Sequence, residues 1–198
     1  MKTTRLLTAL LLTLGAGASF AQTAATTVQR DVNQQTRIEQ GLQSGALNTK
    51  EAAKLEREES KVDRMQANAL KDGKLTPAEK ARLQAAQNQT SRDIAAAKHN
   101  EVTGNPQSAS SQRMQADVQR NVNQEKRIEN GIQNGSLTNR EAAKLERGQA
   151  RVDRKEARAG HDGHVGAAEQ AHVQRAENHQ SRRIFKQKHD GQVRGEKS

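Results

Sequence analysis

The sequence predicts an all-α protein of two tandem three-helix antiparallel units joined by a flexible linker. Three observations predict it: an internal repeat that covers most of the chain, apolar residues that recur at three-, four- and seven-residue steps, and the absence of any stretch that alternates as a strand does. Residues 29–99 align without a gap on residues 119–189, and about half of the aligned positions carry the same residue. The boundaries that follow are a signal peptide over 1–21, a first unit over 22–100, a linker over 101–111, a second unit over 112–190 and a disordered tail over 191–198.

The leader comes first. Lys2 and Arg5 precede an apolar run over 6–14, and Ser19-Phe20-Ala21 offers small residues where a signal peptidase reads, so cleavage is expected between Ala21 and Gln22. The run is too short to span a bilayer, and no later segment reaches the ~20 apolar residues of a membrane helix. A periplasmic or secreted location is therefore expected.

In each unit the first helix, near 26–43, carries Val28, Val32, Ile38 and Leu42 on one stripe; its repeat carries Val118, Val122, Ile128 and Ile132. The second helix, near 49–70, aligns Ala52, Leu55, Val62 and Ala69, repeated as Leu145, Val152 and Ala159. The third, near 77–99, aligns Leu83, Ala86, Thr90, Ile94 and Ala97, repeated as Val173, Ala176 and Ile184. Thr76-Pro77-Ala78-Glu79 reads as a capping box with Pro at the first helical position, and Asn48 with Glu51 and Thr138 with Glu141 repeat the device. Gly45, Gly73, Gly135 and Gly163 precede these starts and are expected to end helices in the left-handed conformation. Leu47, Leu75, Leu137 and Val165, two residues on, are expected to pin the turns to the core. The linker VTGNPQSASS is polar and contributes little apolar surface.

Composition narrows the function. The chain has no Cys, and Phe185 is the one aromatic residue beyond the leader. Its core of Ala, Val, Leu and Ile buries little area per residue at ~25 cal/mol per Å², so seams should be thin, and a homodimer would enlarge them. Against 23 Asp and Glu stand 33 Lys and Arg, a formal net charge of +10. The positive sign attracts polyanions. The acids are interspersed, so pairs such as Glu56 with Glu59 read as ordinary surface charge. No Cys nucleophile, phosphate loop or nucleophile elbow is present, so the protein is read as non-enzymatic. Sequence-specific nucleic-acid binding is not expected from a chain without aromatic platforms.

Two sets of residues are candidates for binding. Arg30, Arg37, Arg57 and Arg64, with Arg120, Arg127, Arg147 and Arg154, recur in both units as basic contacts. The histidines are concentrated in unit two. His161 and His164 flank Asp162-Gly163, while His172 and His179 stand a heptad apart on one helix face. Imidazoles favour copper, zinc or nickel; the competing reading is exchange for other exposed polar residues, since His161, His164 and His172 align with Lys71, Lys74 and Arg82.

The four Gly turns resemble the second half of an EF-hand loop, with Gly, an apolar residue and a final Glu. Asn68, Asp72 and Glu79 would ligate in one turn, but Leu70 takes a ligand position; Leu42, Ile132 and Arg158 fail in the same way elsewhere. Calcium needs six to eight oxygens, so capped turns are expected there rather than calcium sites. Leu75-Thr76-Pro77-Ala78-Glu79 and Leu137-Thr138-Asn139-Arg140-Glu141 look like the LTxxQ motif of the Spy/CpxP group of helical periplasmic stress proteins, with Glu for Gln. That resemblance implies a basic, weakly apolar surface for unfolded clients. The expected function is an exported binding or envelope-stress protein that meets acidic clients or envelope polyanions through basic helix faces and requires no cofactor. The alternative is a transition-metal protein using the histidines of unit two.

Overall fold

The computed structural model describes residues 17–191, with side chains from Ala24 onward. Residues 1–16 of the expected leader (1–21) and residues 192–198 of the expected tail (191–198) lie outside the described residues. The protein is all-helical: α1 (Gly17–Ser44), α2 (Thr49–Ala69), α3 (Pro77–Lys98), α4 (Ala109–Gln133), α5 (Asn139–Ala159) and α6 (Ala167–Lys188), with no strand among the described residues. No described helix is long and apolar enough to cross a membrane.

Local chemistry sets the helix ends. Asn48, Thr76 and Thr138 each accept from the backbone of the Glu three residues on, and that Glu reaches back to the cap, so three capping boxes form. Gly45, Gly73, Gly135 and Gly163 have φ of 78°, 89°, 79° and 93°, the left-handed region that glycine enters without strain. Leu47, Leu75, Leu137 and Val165 are buried behind them. At the EF-hand-like turn, Glu79 is engaged by the amide and hydroxyl of Thr76, at 3.0 and 2.7 Å.

The packing runs between the repeats. The most extensive contacts are α2 on α5 and α1 on α4, each helix against its own counterpart, while α3 lies on α1 and α2, and α6 on α4 and α5. Ser60 Oγ donates to the carbonyl of Ala150, its equivalent in the second copy, at 2.9 Å. Asp63 likewise meets its equivalent, Asp153. Residues that touch their own equivalents mark an approximate twofold axis through the α2–α5 seam. Two tethered three-helix units would place most packing within each copy; here the two copies share one interior.

That interior has three zones. One apolar cluster joins Val28, Leu70, Leu75 and Leu83 to Ile128, Ile132, Leu145 and Ile184. The other joins Ile38, Leu42, Leu55 and Ile94 to Met114, Val118, Val165 and Val173. Each therefore draws on both copies. They occupy opposite ends of α1, α2, α4 and α5, and the middle turns of those helices contribute polar side chains instead. The connection between copies is ordered against the first: Gly104 N–H donates to Gly45 O at 2.8 Å, and a Cβ on Gly104 would stand 2.4 Å from Leu47 O. Ser108 caps α4, which begins at Ala109, so the last residues of the expected 101–111 linker are helical.

Candidate functional site

The eight candidate arginines divide into two sets. Arg30 reaches Asn88 Oδ1 at 2.6 Å, and Arg120 reaches Asn178 Oδ1 at 2.5 Å. Arg37 grips Ser91 through its hydroxyl and carbonyl at 2.7 and 3.2 Å; Arg127 grips Ser181 at the same two distances. These four are half-buried clamps that tie α1 to α3 and α4 to α6. Arg57, Arg64 and Arg147 are exposed on α2 and α5, and Arg154 is half-buried. An open groove where α2 begins and α5 ends collects Lys50, Lys54, Arg57 and His161, with Glu51 alongside.

His161, His164, His172 and His179 are all exposed. His161 Nδ1 sits 3.0 Å from Arg158 O, and the backbone N–H of His164 donates to Asp162. Among the described residues, the groups whose ligand atoms converge are made of carboxylates and contain none of these histidines.

The acids are where the sequence reading needs correction. Glu56 and Glu59, read as surface charge, are 0% and 1% exposed. The reason is that α2 and α5 are covered on several sides, so the stripe of Glu56, Glu59, Asp63 and Gln66 is as enclosed as the apolar one. In all, 13 of the 23 acidic residues are buried, and among the described residues no Lys, Arg or His is. In one group, oxygens of Asp31, Asp63 and Glu146 lie within 4.8 Å of one another; in a second, those of Glu56, Asp153 and Glu156 do. Shifting the first group by one repeat gives Asn121, Asp153 and Glu56, so the two groups are near-copies across the axis.

Amides complete them. Asn121 Nδ2 donates to Glu156 Oε2 at 2.7 Å and to Asp153 Oδ1 at 3.2 Å. Gln35 donates to Glu56 at 3.0 Å, and Gln87 to Asp31 at 2.7 Å. Burial governs the electrostatics, because desolvation disfavours the ionised form. It pushes Glu56 and Asp63 up to about 7, with neighbouring carboxylates adding to the rise at Glu56. Asp31, Glu59, Glu125, Glu146, Asp153 and Glu156 are raised well above the usual range by burial and by one another. Glu177 is pushed to about 8 by burial and by Asp117, although Arg120 Nε pairs with it at 2.9 Å.

Neither a protein-family model, a curated protein nor a solved structure matches the chain. The site's chemistry therefore stands on its own residues: a basic outside, an oxygen-rich acidic inside, and apolar walls between.

Proposed function

We propose that the protein is an exported, non-enzymatic binding protein that meets polyanions or acidic, unfolded client proteins through its basic helical exterior. The observation that carries this reading is the segregation of charge: more than half of the acids are enclosed while the bases stay at the surface. A polyanion thus meets a face more basic than the formal +10 conveys. The outward Arg57, Arg64 and Arg147, and the groove with Lys50 and Lys54, are its contacts; Arg30, Arg37, Arg120 and Arg127 are engaged instead in tying α1 to α3 and α4 to α6.

Heparin retention against salt tests the reading. Binding by phosphate- or sulfate-directed bases falls linearly in log K with log salt. Lys50→Ala with Lys54→Ala and Arg57→Ala should lower the salt needed for elution, and retention indifferent to salt would rule the reading out. A second reading, copper, zinc or nickel at His161 and His164, draws on the exposure of both imidazoles beside Asp162. Calorimetric titration should then show binding that weakens below about pH 6.5, where free imidazole protonates.

A further inference from the structure

The interior carboxylates ask for something the basic exterior does not supply. Group one takes Asp31 from α1, Asp63 from α2 and Glu146 from α5, and Glu125 of α4 adds its charge to Glu146. Group two takes Glu56 from α2 and both Asp153 and Glu156 from α5, with Asn121 of α4 and Gln35 of α1 bonded to it. Each group is thus a meeting point of all four central helices, the kind of place where bundles build metal sites.

Acids brought together by a fold do not by themselves make a site, and the enclosed amides are the independent sign. Asn121 is 0% exposed and its Nδ2 is held inside group two, yet its Oδ1 has no hydrogen-bond partner. Gln35, 3% exposed, donates to Glu56 while its own Oε1 is likewise unpartnered. Among the acids, both oxygens of Glu146 and one each of Asp31, Glu56, Asp153 and Glu156 lack a well-formed hydrogen bond, although the enclosed amide of Gln66 stands beside Asp31 and Glu146, and Glu56 faces Glu156. A retained proton satisfies one acceptor. A hard cation satisfies six to eight oxygens at once and neutralises carboxylates as it does so. Among the described residues, no base is buried to do this instead.

We propose that the two carboxylate–amide groups inside the bundle are a pair of sites for hard divalent cations of the calcium or manganese kind, one cation to each group. The donors select the class: carboxylate and amide oxygens, with no nitrogen or sulfur ligand in either group. Magnesium is disfavoured, because it keeps several waters and demands rigid octahedral geometry, whereas both groups are enclosed. Enclosure also means that the cation enters as the chain folds, so that binding free energy becomes folding free energy.

The full chain is tested as purified and after refolding from denaturant with calcium or with manganese, each followed by desalting and elemental analysis. Two retained cations per chain are expected. Glu146→Gln and Glu56→Gln should each retain one, and the double variant none. Gln keeps the shape of a protonated carboxyl, so both variants should melt no lower than the parent in EDTA, which separates a lost cation from a lost fold. Asn121→Asp places a carboxylate where group one has Asp31 and should tighten group two by about an order of magnitude. The proposal is overturned if neither preparation retains calcium or manganese, if both Gln variants retain as much as the parent, or if Asn121→Asp leaves affinity unchanged.

Discussion

The two copies of the repeat enclose nearly the same shape with different charge. Glu56 and Asp63 on α2 are matched by Glu146 and Asp153 on α5, so each group keeps a Glu and an Asp from opposite copies. Around them acid and amide change places: Asp31 against Asn121, Gln35 against Glu125, Glu59 against Gln149, Gln66 against Glu156, and Gln87 against Glu177. Every exchange conserves side-chain size, and all ten of these side chains are 3% exposed or less. The difference teaches that the interior is specified as a volume of oxygen-bearing side chains, within which the location of charge has been free to move. It also makes the halves unequal: the second copy supplies more of the buried carboxyls, and the first more of the amides that bond them.

The largest expected effect tests whether the copies are energetically one body. Leu55→Ala and Leu145→Ala remove equivalent side chains, each about 1% exposed or less, from opposite apolar clusters. Each should cost ~2–5 kcal/mol. Because both clusters mix the copies, either change should lower a single urea transition followed by circular dichroism. Two resolved transitions, with each variant moving only one, would break the comparison by showing independent halves.

A smaller effect follows from the raised carboxyls. Their folded-state affinity for protons exceeds the unfolded one, so stability is fully present below the ordinary carboxylate range near 4 and is lost as pH rises through about 7, where Glu56 and Asp63 titrate. In EDTA the melting temperature should therefore climb as pH falls from 7.5 to 5, the reverse of acid denaturation. Glu59→Gln, which gives the first copy the residue of the second, should flatten that dependence and add about 1 kcal/mol at pH 7, since Glu59 is enclosed with neither oxygen partnered. A melting temperature that falls on acidification would mean that the carboxyls are ionised and paired in solution.

The smallest effect concerns the caps. Thr76 caps α3, but its equivalent, Gly166, starts α6 without a side-chain bond. Gly166→Thr should add a few tenths of a kcal/mol and Thr76→Gly should remove as much, measurable as opposite shifts in thermal melts. Equal shifts of the same sign would show that the backbone preference of Gly166, not its missing hydroxyl, decides that turn.

Six helices, three capping boxes and four left-handed glycines are legible in the sequence because each is a local property. Asn48, Thr76 and Thr138 sit three residues before Glu, and that spacing alone makes the box. The pairing of α2 with α5 is not legible, since short connections argue for neighbours within a copy and say nothing about a partner 90 residues away. The interior site was hidden by a rule of thumb. Apolar periodicity assigns one buried face per helix, which fits α3 and α6, whereas α2 and α5 are buried widely enough to enclose a second, polar stripe. A signal was present: Glu56, Glu59, Asp63 and Gln66 recur at three- and four-residue steps, and Glu56 and Asp63 survive in the repeat. The serines Ser91 and Ser181, kept in both copies with Arg37 and Arg127, pointed in the same way to a clamp rather than a docking arginine.

The contact of Ser60 with Ala150, and of Asp63 with Asp153, carries a consequence for ancestry. A surface that meets its own equivalent across an axis is isologous, the geometry by which identical chains close into dimers. A protein of one copy would build the same central bundle by pairing with a second molecule of itself. Gene duplication and fusion would then convert a homodimer into a single chain, tether the partners through the segment around Gly104, and release each half from having to be identical. Only after fusion can Asp31 remain acidic while Asn121 does not, because in a symmetric dimer one codon would dictate both.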